Sequence, residues 1–286
     1  MKNGETTRER RRGAAGGPGF WRGLALAFFL LLVLAPFAVM LLTAVKPLGE
    51  VATRPLLPAT WQPRNLLDVW TADGGALAVF FRNSLVLAGG STALTLALAL
   101  PAAYALARLP VPGKRLFRQA LLATQMFAPI VVVVSLYRLA ANMGQTDSLG
   151  ALVVMNAAYS MAFAVWLLTA YLAAVPEDME EAARIDGCSR LSAFTRVILP
   201  VAGPGVVTTV VFVFIAAWNE FVLAFTFLSS PANKPLTVGL YGFASAYAPR
   251  WNLLMAGSLW AILPVILLFA VIEKHLAEGL TAGAVK

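Results

Sequence analysis

The sequence predicts an all-α, polytopic membrane protein of six transmembrane helices with both termini in the cytoplasm. Three observations carry that prediction. The chain of 286 residues is 59% hydrophobic and 13% charged, with a mean hydropathy of +0.77, far too apolar for a soluble domain. Its charges are segregated, leaving six stretches free of Asp, Glu, Lys and Arg at 23–45, 83–107, 119–137, 148–176, 197–219 and 251–272. Its basic residues are also asymmetric: of 22 Lys and Arg, 15 fall on one side of the implied membrane and 7 on the other.

Each stretch is long enough to cross about 30 Å of hydrocarbon, which takes roughly 20 helical residues. None shows the alternating pattern of a barrel strand, and a helix satisfies its backbone hydrogen bonds internally, as lipid requires. Segments 1–22, 108–118, 177–196 and 273–286 carry 6, 4, 3 and 2 basic residues, against 4, 1 and 2 in segments 46–82, 138–147 and 220–250. The positive-inside rule places the first group in the cytoplasm. Three regions follow: a basic, disordered tail (1–22), a six-helix domain (23–272) and a cytoplasmic C-terminal tail (273–286). Phe20, Trp21 and Trp251 stand at helix ends, where aromatic rings favour the interface.

The net charge of +8 would suggest nucleic acid in a soluble protein. Here the excess lies on the cytoplasmic face, where anionic lipid head groups account for it without a nucleic-acid partner. Cys188 is the single cysteine and His275 the single histidine, so neither a disulfide within the chain nor a metal cluster is expected. The sequence contains no G-x-x-x-x-G-K-[ST] phosphate loop and no hydrolase triad. Catalysis by this chain is not expected.

The connection between the fourth and fifth runs, residues 176–200, is unusual. Pro176 suits a helix start, and Glu177, Asp178, Glu180 and Glu181 follow near the positive end of the helix dipole. Met179, Ala182 and Ala183 share a small apolar face, and Gly187 can end the helix in a left-handed conformation. A second amphipathic turn begins at Ser189, with Leu191, Phe194 and Ile198 on one side. Leu199-Pro200 and Pro204-Gly205 then return the chain to the membrane. Acids in the first turn disfavour adsorption to an anionic leaflet and favour presentation to a cytoplasmic partner, although a membrane-surface connector shares these features.

Glu181-Ala182-Ala183, Gly187, Val197 and Leu199-Pro200 resemble the EAA motif of bacterial ABC importer permeases, which usually carry Ile where this chain has Val197. The end of the chain, Gly279-Leu280-Thr281-Ala282-Gly283-Ala284-Val285-Lys286, resembles the tail of maltose-type, MalG-like carbohydrate permease subunits. Asn83-Ser84, Tyr104-Ala105-Leu106-Ala107-Arg108, Trp218-Asn219-Glu220-Phe221 and Pro235-Leu236-Thr237-Val238-Gly239-Leu240 are similar to the same family; residues 143–149 keep its pattern poorly.

The resemblance implies a type I ABC importer permease fold in the bacterial inner membrane. It implies that Glu181, Ala182, Ala183, Asp186 and Gly187 dock on a separate ATPase, and that Leu199 and Pro200 pass its motion into the fifth helix. Gly279, Thr281, Gly283 and Lys286 would reach the ATPases from the tail. ATP and Mg would be held by two ATPase subunits, with no cofactor on this chain. A second, MalF-like permease and an extracytoplasmic solute-binding protein would complete the assembly.

For the solute pathway the candidates are Trp218, Asn219, Glu220, Gln125, Asn156, Ser160 and Tyr241, since polar groups within the membrane are costly and often line cavities. Each could instead meet interfacial water or neighbouring backbone. No run is interrupted by Lys or Arg, which favours a neutral sugar over an anion such as glycerol phosphate. The alternative to an ATP-driven importer is a secondary transporter or channel, and it lacks support from an internal repeat or a mid-membrane coupling carboxylate.

Overall fold

The computed structural model describes residues 18–53, 56–126, 129–244 and 248–282. Among these residues every regular element is helical. In chain order they are α1 (Pro18–Ala44), α2 (Leu48–Val51), α3 (Asn65–Thr71), α4 (Ala76–Arg108), α5 (Lys114–Thr124), α6 (Pro129–Asn142) and α7 (Leu149–Ala174). Then follow α8 (Glu177–Ile185), α9 (Arg190–Ala193), α10 (Leu199–Val201), α11 (Gly203–Trp218), α12 (Val222–Phe227), α13 (Leu236–Tyr241) and α14 (Trp251–Ala282).

Five of the six apolar runs form segments long and apolar enough to cross a membrane: Trp21–Ala44, Ala76–Arg108, Leu149–Ala174, Gly203–Phe227 and Trp251–Glu273. The third run, 119–137, divides differently from the sequence expectation. Its first part belongs to amphipathic α5 and its second to the shorter apolar α6. Pro129 opens α6, at a position where its missing N–H costs nothing but where it cannot continue a preceding helix. Hydropathy registers the apolar content of the run and not this change of element.

Helices α4 and α7 form the most extensive pair, and α11 packs against both. Their inner ends, on the predicted cytoplasmic side, enclose a core of Ala99, Ala103, Leu106, Ala164, Leu168, Leu172, Phe194, Ile198 and Val213. Toward the outer side α4, α13 and α14 close around Leu77, Trp218, Leu236 and Phe243. A separate outer cluster joins α6, α7 and α12 through Val133, Leu152, Ala224 and Phe227. Helix α1 is exposed along most of its length and leans chiefly on α14.

Two helices extend beyond the apolar runs. Helix α1 begins at Pro18, within the segment assigned to the basic tail; residues 1–17 lie outside those described. Helix α14 runs through Ala282, nine residues past the apolar span that ends at Glu273.

The turn after Ser189 also departs from expectation. Phe194 and Ile198 are buried, but Leu191 is 72% exposed. Residues Phe194–Ile198 adopt a π-helical turn, whose i→i+5 pitch inserts an extra residue per turn. Leu191 lies in α9, ahead of that turn, outside the core that Phe194 and Ile198 join.

Candidate functional site

The inner surface is organised around α8. Pro176 precedes it in an extended conformation, and Glu177, Asp178 and Glu180 fill its first turn, where carboxylates complement the dipole. The helix ends at Asp186, whose N–H returns to Ala182 O at 3.0 Å. Gly187 follows with φ +90°, and Cys188 N donates to Ala183 O at 3.0 Å. This is the left-handed glycine termination that the sequence suggested. A neighbouring turn is capped by Ser189, whose hydroxyl accepts from Ser192 N at 3.2 Å.

The faces of α8 are distinct. Ala183 is buried toward the bundle, while Glu181, Ala182, Asp186 and Gly187 are exposed together on the outside. Ile185 is 86% exposed. It stands among the exposed Glu181, Ala182 and Asp186. Leu199 is half-buried against the inner core and Pro200 is exposed, so both sit on the route from α8 through the π-helical turn to α11.

Behind α8 lies a charged cleft of about 140 Å³ lined by Arg108, Glu177, Glu180, Glu181, Arg184 and Arg190. Arg108 is buried there, and the Tyr104 hydroxyl donates to Glu180 Oε1 at 2.6 Å. Neither residue was assigned a site role from sequence. The available signal was their i, i+4 spacing at the end of a membrane helix, opposite carboxylates spaced i, i+3.

The pathway candidates separate into two clefts and a set of structural positions. Gln125 and Ser160 line a cleft of about 200 Å³ with Tyr159, Phe163 and Phe212, and Gln125 Nε2 donates to Tyr159 O at 3.3 Å. Trp218 and Asn219 line a second, of about 330 Å³, with Leu236, Thr237, Ala261 and Phe37. Asn219 is exposed and bonds Ile215 O at 2.9 Å.

Trp218 is only 4% exposed. Its indole stacks on Phe214, meets Phe81 edge-on and donates to Ala261 O at 3.2 Å. Glu220 falls where the helix is interrupted between α11 and α12. Its Oε1 accepts from Leu223 N at 2.7 Å, and its carbonyl accepts from Thr237 Oγ1 at 2.6 Å. Asn156 is buried and bonds Leu152 O within its own helix. Tyr241 is exposed and forms an aromatic group with Phe221 and Phe225. The structure does not bring Asn156 or Tyr241 into either cleft. Of the tail candidates, Gly279 and Thr281 lie in the last turns of α14, and Gly283 and Lys286 lie outside the described residues.

Comparison with known proteins gives a consistent result. The chain is 36% identical over 270 residues to the inner membrane ABC transporter permease protein YcjP of Escherichia coli, covering 94% of this chain and 96% of that one. It is 32% identical over 265 residues to the trehalose transport system permease protein SugB of Mycobacterium tuberculosis, covering 92% and 94%. Its fold matches a chain of a bacterial ABC transporter involved in alginate import with a TM-score of 0.75 at 21% identity, covering 90% and 95%. The model of the family described as "binding-protein-dependent transport system inner membrane component" matches residues 14–281. The chain is therefore a multi-pass inner-membrane permease of the ABC importer class and belongs to that family.

Proposed function

We propose that this permease forms half of the translocation pathway of an ATP-driven importer for a sugar or oligosaccharide, with residues 176–200 coupling it to a separate ATPase. The observation that carries this reading is the exposed face of α8. Glu181, Ala182, Ile185, Asp186 and Gly187 stand exposed together on a helix that a left-handed glycine terminates. A helix transmits force where a free loop would yield. Alternating access then follows as rigid-body movement: closure of a pair of ATPases pushes α8, and the inner core carries the push to α4, α7 and α11. ATP and Mg are held by those ATPase chains.

The carbohydrate assignment draws on relatives named for trehalose and for sulfoquinovosyl glycerol, and on a structural neighbour solved with an alginate pentasaccharide-bound periplasmic protein. A second permease would close the pore, and an extracytoplasmic binding protein would deliver the solute. On this chain the break between α11 and α12 is a further support. Helices interrupted within the membrane expose backbone groups to a cavity, and Asn219 and Thr237 lie beside this one. Gln125 and Ser160 provide polar groups in the second cleft, while Trp218 and Glu220 hold the walls.

The test is uptake of labelled oligosaccharides by vesicles holding the full complex, with Gly187→Trp as the diagnostic variant. Loss of uptake and of ATPase co-purification is expected. Undiminished uptake overturns the coupling role of α8, and uptake restricted to non-carbohydrate solutes overturns the cargo assignment.

A further inference from the structure

Three inner helix ends meet on one guanidinium. Arg108 closes α4, and its side chain is 5% exposed. Its Nη2 donates to Leu172 O at 3.0 Å and to Val175 O, in the last turn and at the cap of α7. Its Nη1 lies 3.4 Å from Glu177 Oε1, and its Nε lies 3.9 Å from Glu180 Oε2, both in the first turn of α8. Tyr104, one turn earlier on α4, bonds Glu180 Oε1, and its ring centroid lies 4.7 Å from that of Phe194 in the π-helical turn.

The chemistry of these partners explains why a single cation serves all of them. The final carbonyls of α7 lack partners within the helix and carry the negative end of its dipole. Arginine's planar fork can address carbonyls and carboxylates together, whereas a lysine ammonium is a point donor. Between α7 and α8 the chain has only Val175 (φ −71°, ψ 130°) and Pro176 (φ −58°, ψ 138°), both non-helical. Backbone hydrogen bonding does not continue across this joint, so something else must keep α8 from hinging there.

We propose that Arg108 is a positioning residue that locks α8 to the inner ends of α4 and α7, so that the three move as one body when α8 is displaced. The proposal rests on the reading of α8 as the ATPase-docking helix. Glu177 is the nearer carboxylate but is 78% exposed; Glu180, 14% exposed and held by Tyr104, stands 3.9 Å from Nε and acts on the guanidinium through its charge, without a hydrogen bond. Without the lock, a push on α8 bends the joint at 175–176 and is lost before it reaches the bundle.

The test uses the complete complex in vesicles, with Cys188→Ser and spin labels on Leu98→Cys in α4 and Asp178→Cys in α8. With Arg108 present, one narrow distance shared by the ATP-bound and ATP-free states is expected; in Arg108→Ala it broadens or shifts. In parallel, Arg108→Ala should continue to hydrolyse ATP while solute taken up per ATP falls about tenfold, within the usual range of coupling between sites. Arg108→Lys should recover part of that loss. Should Arg108→Ala fail to assemble, Tyr104→Phe and Glu180→Gln each remove a single element of the lock and should lower the same ratio. A distance that differs between the two states with Arg108 in place, or an unchanged ratio in every variant that assembles, overturns the proposal. Failure of the docking reading is separable, because it appears as undiminished uptake in Gly187→Trp whatever the Arg108 variants do.

Discussion

The ring of Tyr171 occupies the space that a Cβ on Gly205 would need. The clash is with Cγ, Cβ and Cδ2 of Tyr171, the atoms nearest its backbone, so it cannot be relieved by swinging the far end of the side chain. This contact sets how closely α11 approaches α7 near the inner end, just after α8 and the π-helical turn. Gly205→Val is expected to cost about 1–3 kcal/mol through overpacking, read as a lower unfolding temperature of the purified permease. Gly89→Ala is the control, since a Cβ there meets nothing within 4 Å, and its unfolding temperature should not fall.

Asp147 fastens two outer connections together. Its Oδ1 accepts from Ser229 N at 2.9 Å and Ser230 N at 3.0 Å, and its carbonyl accepts from Asn233 Nδ2 at 2.6 Å. It does so with φ +58°, a conformation that Asp and Asn tolerate better than alanine. Asp147→Ala should speed amide hydrogen exchange across 228–234 and cost about 1–2 kcal/mol, from lost charge-assisted bonds and backbone strain. Asp147→Asn keeps an acceptor and the backbone preference, so its exchange should lie close to that of the native chain.

Ile185 gives the docking proposal a sharper test than Gly187 does, because its role is separable from folding. At 86% exposure it makes little packing contribution, so Ile185→Ala should shift the stability of the isolated permease by less than about 0.5 kcal/mol. If it anchors an interface, the same change should weaken ATPase binding by about 2 kcal/mol, roughly 30-fold. Titration of the permease in detergent with the purified ATPase checks both expectations. Unaltered affinity would exclude Ile185 as an anchor.

Helix α8 was legible in sequence because its signals are local: a proline start, carboxylates in the first turn and a glycine stop all lie within about a dozen positions. Arg108 was not, because its partners are backbone carbonyls and carboxylates 64 to 72 positions away, and carbonyls leave no trace in side-chain patterns. Leu191 was misplaced for a different reason. Its spacing from Phe194 and Ile198 fits one helical face, but spacing does not say how much of that face the core covers. The division of the third run likewise escaped a window that sums hydropathy without regard to geometry.

Trp218 and Asn219 are adjacent in sequence and border the same cleft, yet the structure gives them opposite expectations. Trp218 is enclosed by Phe81 and Phe214 and tied to Ala261 O, so its ring area is already committed to the core. Trp218→Phe keeps an aromatic ring in that core but gives up the indole hydrogen bond and some volume, at a cost of about 1–2 kcal/mol. Its KM for uptake should match that of the native complex. Asn219 is exposed and its amide donates to Ile215 O one turn earlier, so Asn219→Ala should leave the unfolding temperature within error. If its side chain meets the passing solute, the same change raises the KM. Measuring both quantities on both variants separates wall from lining. A raised KM in Trp218→Phe with an unchanged one in Asn219→Ala would reverse the assignment and place the solute against the indole.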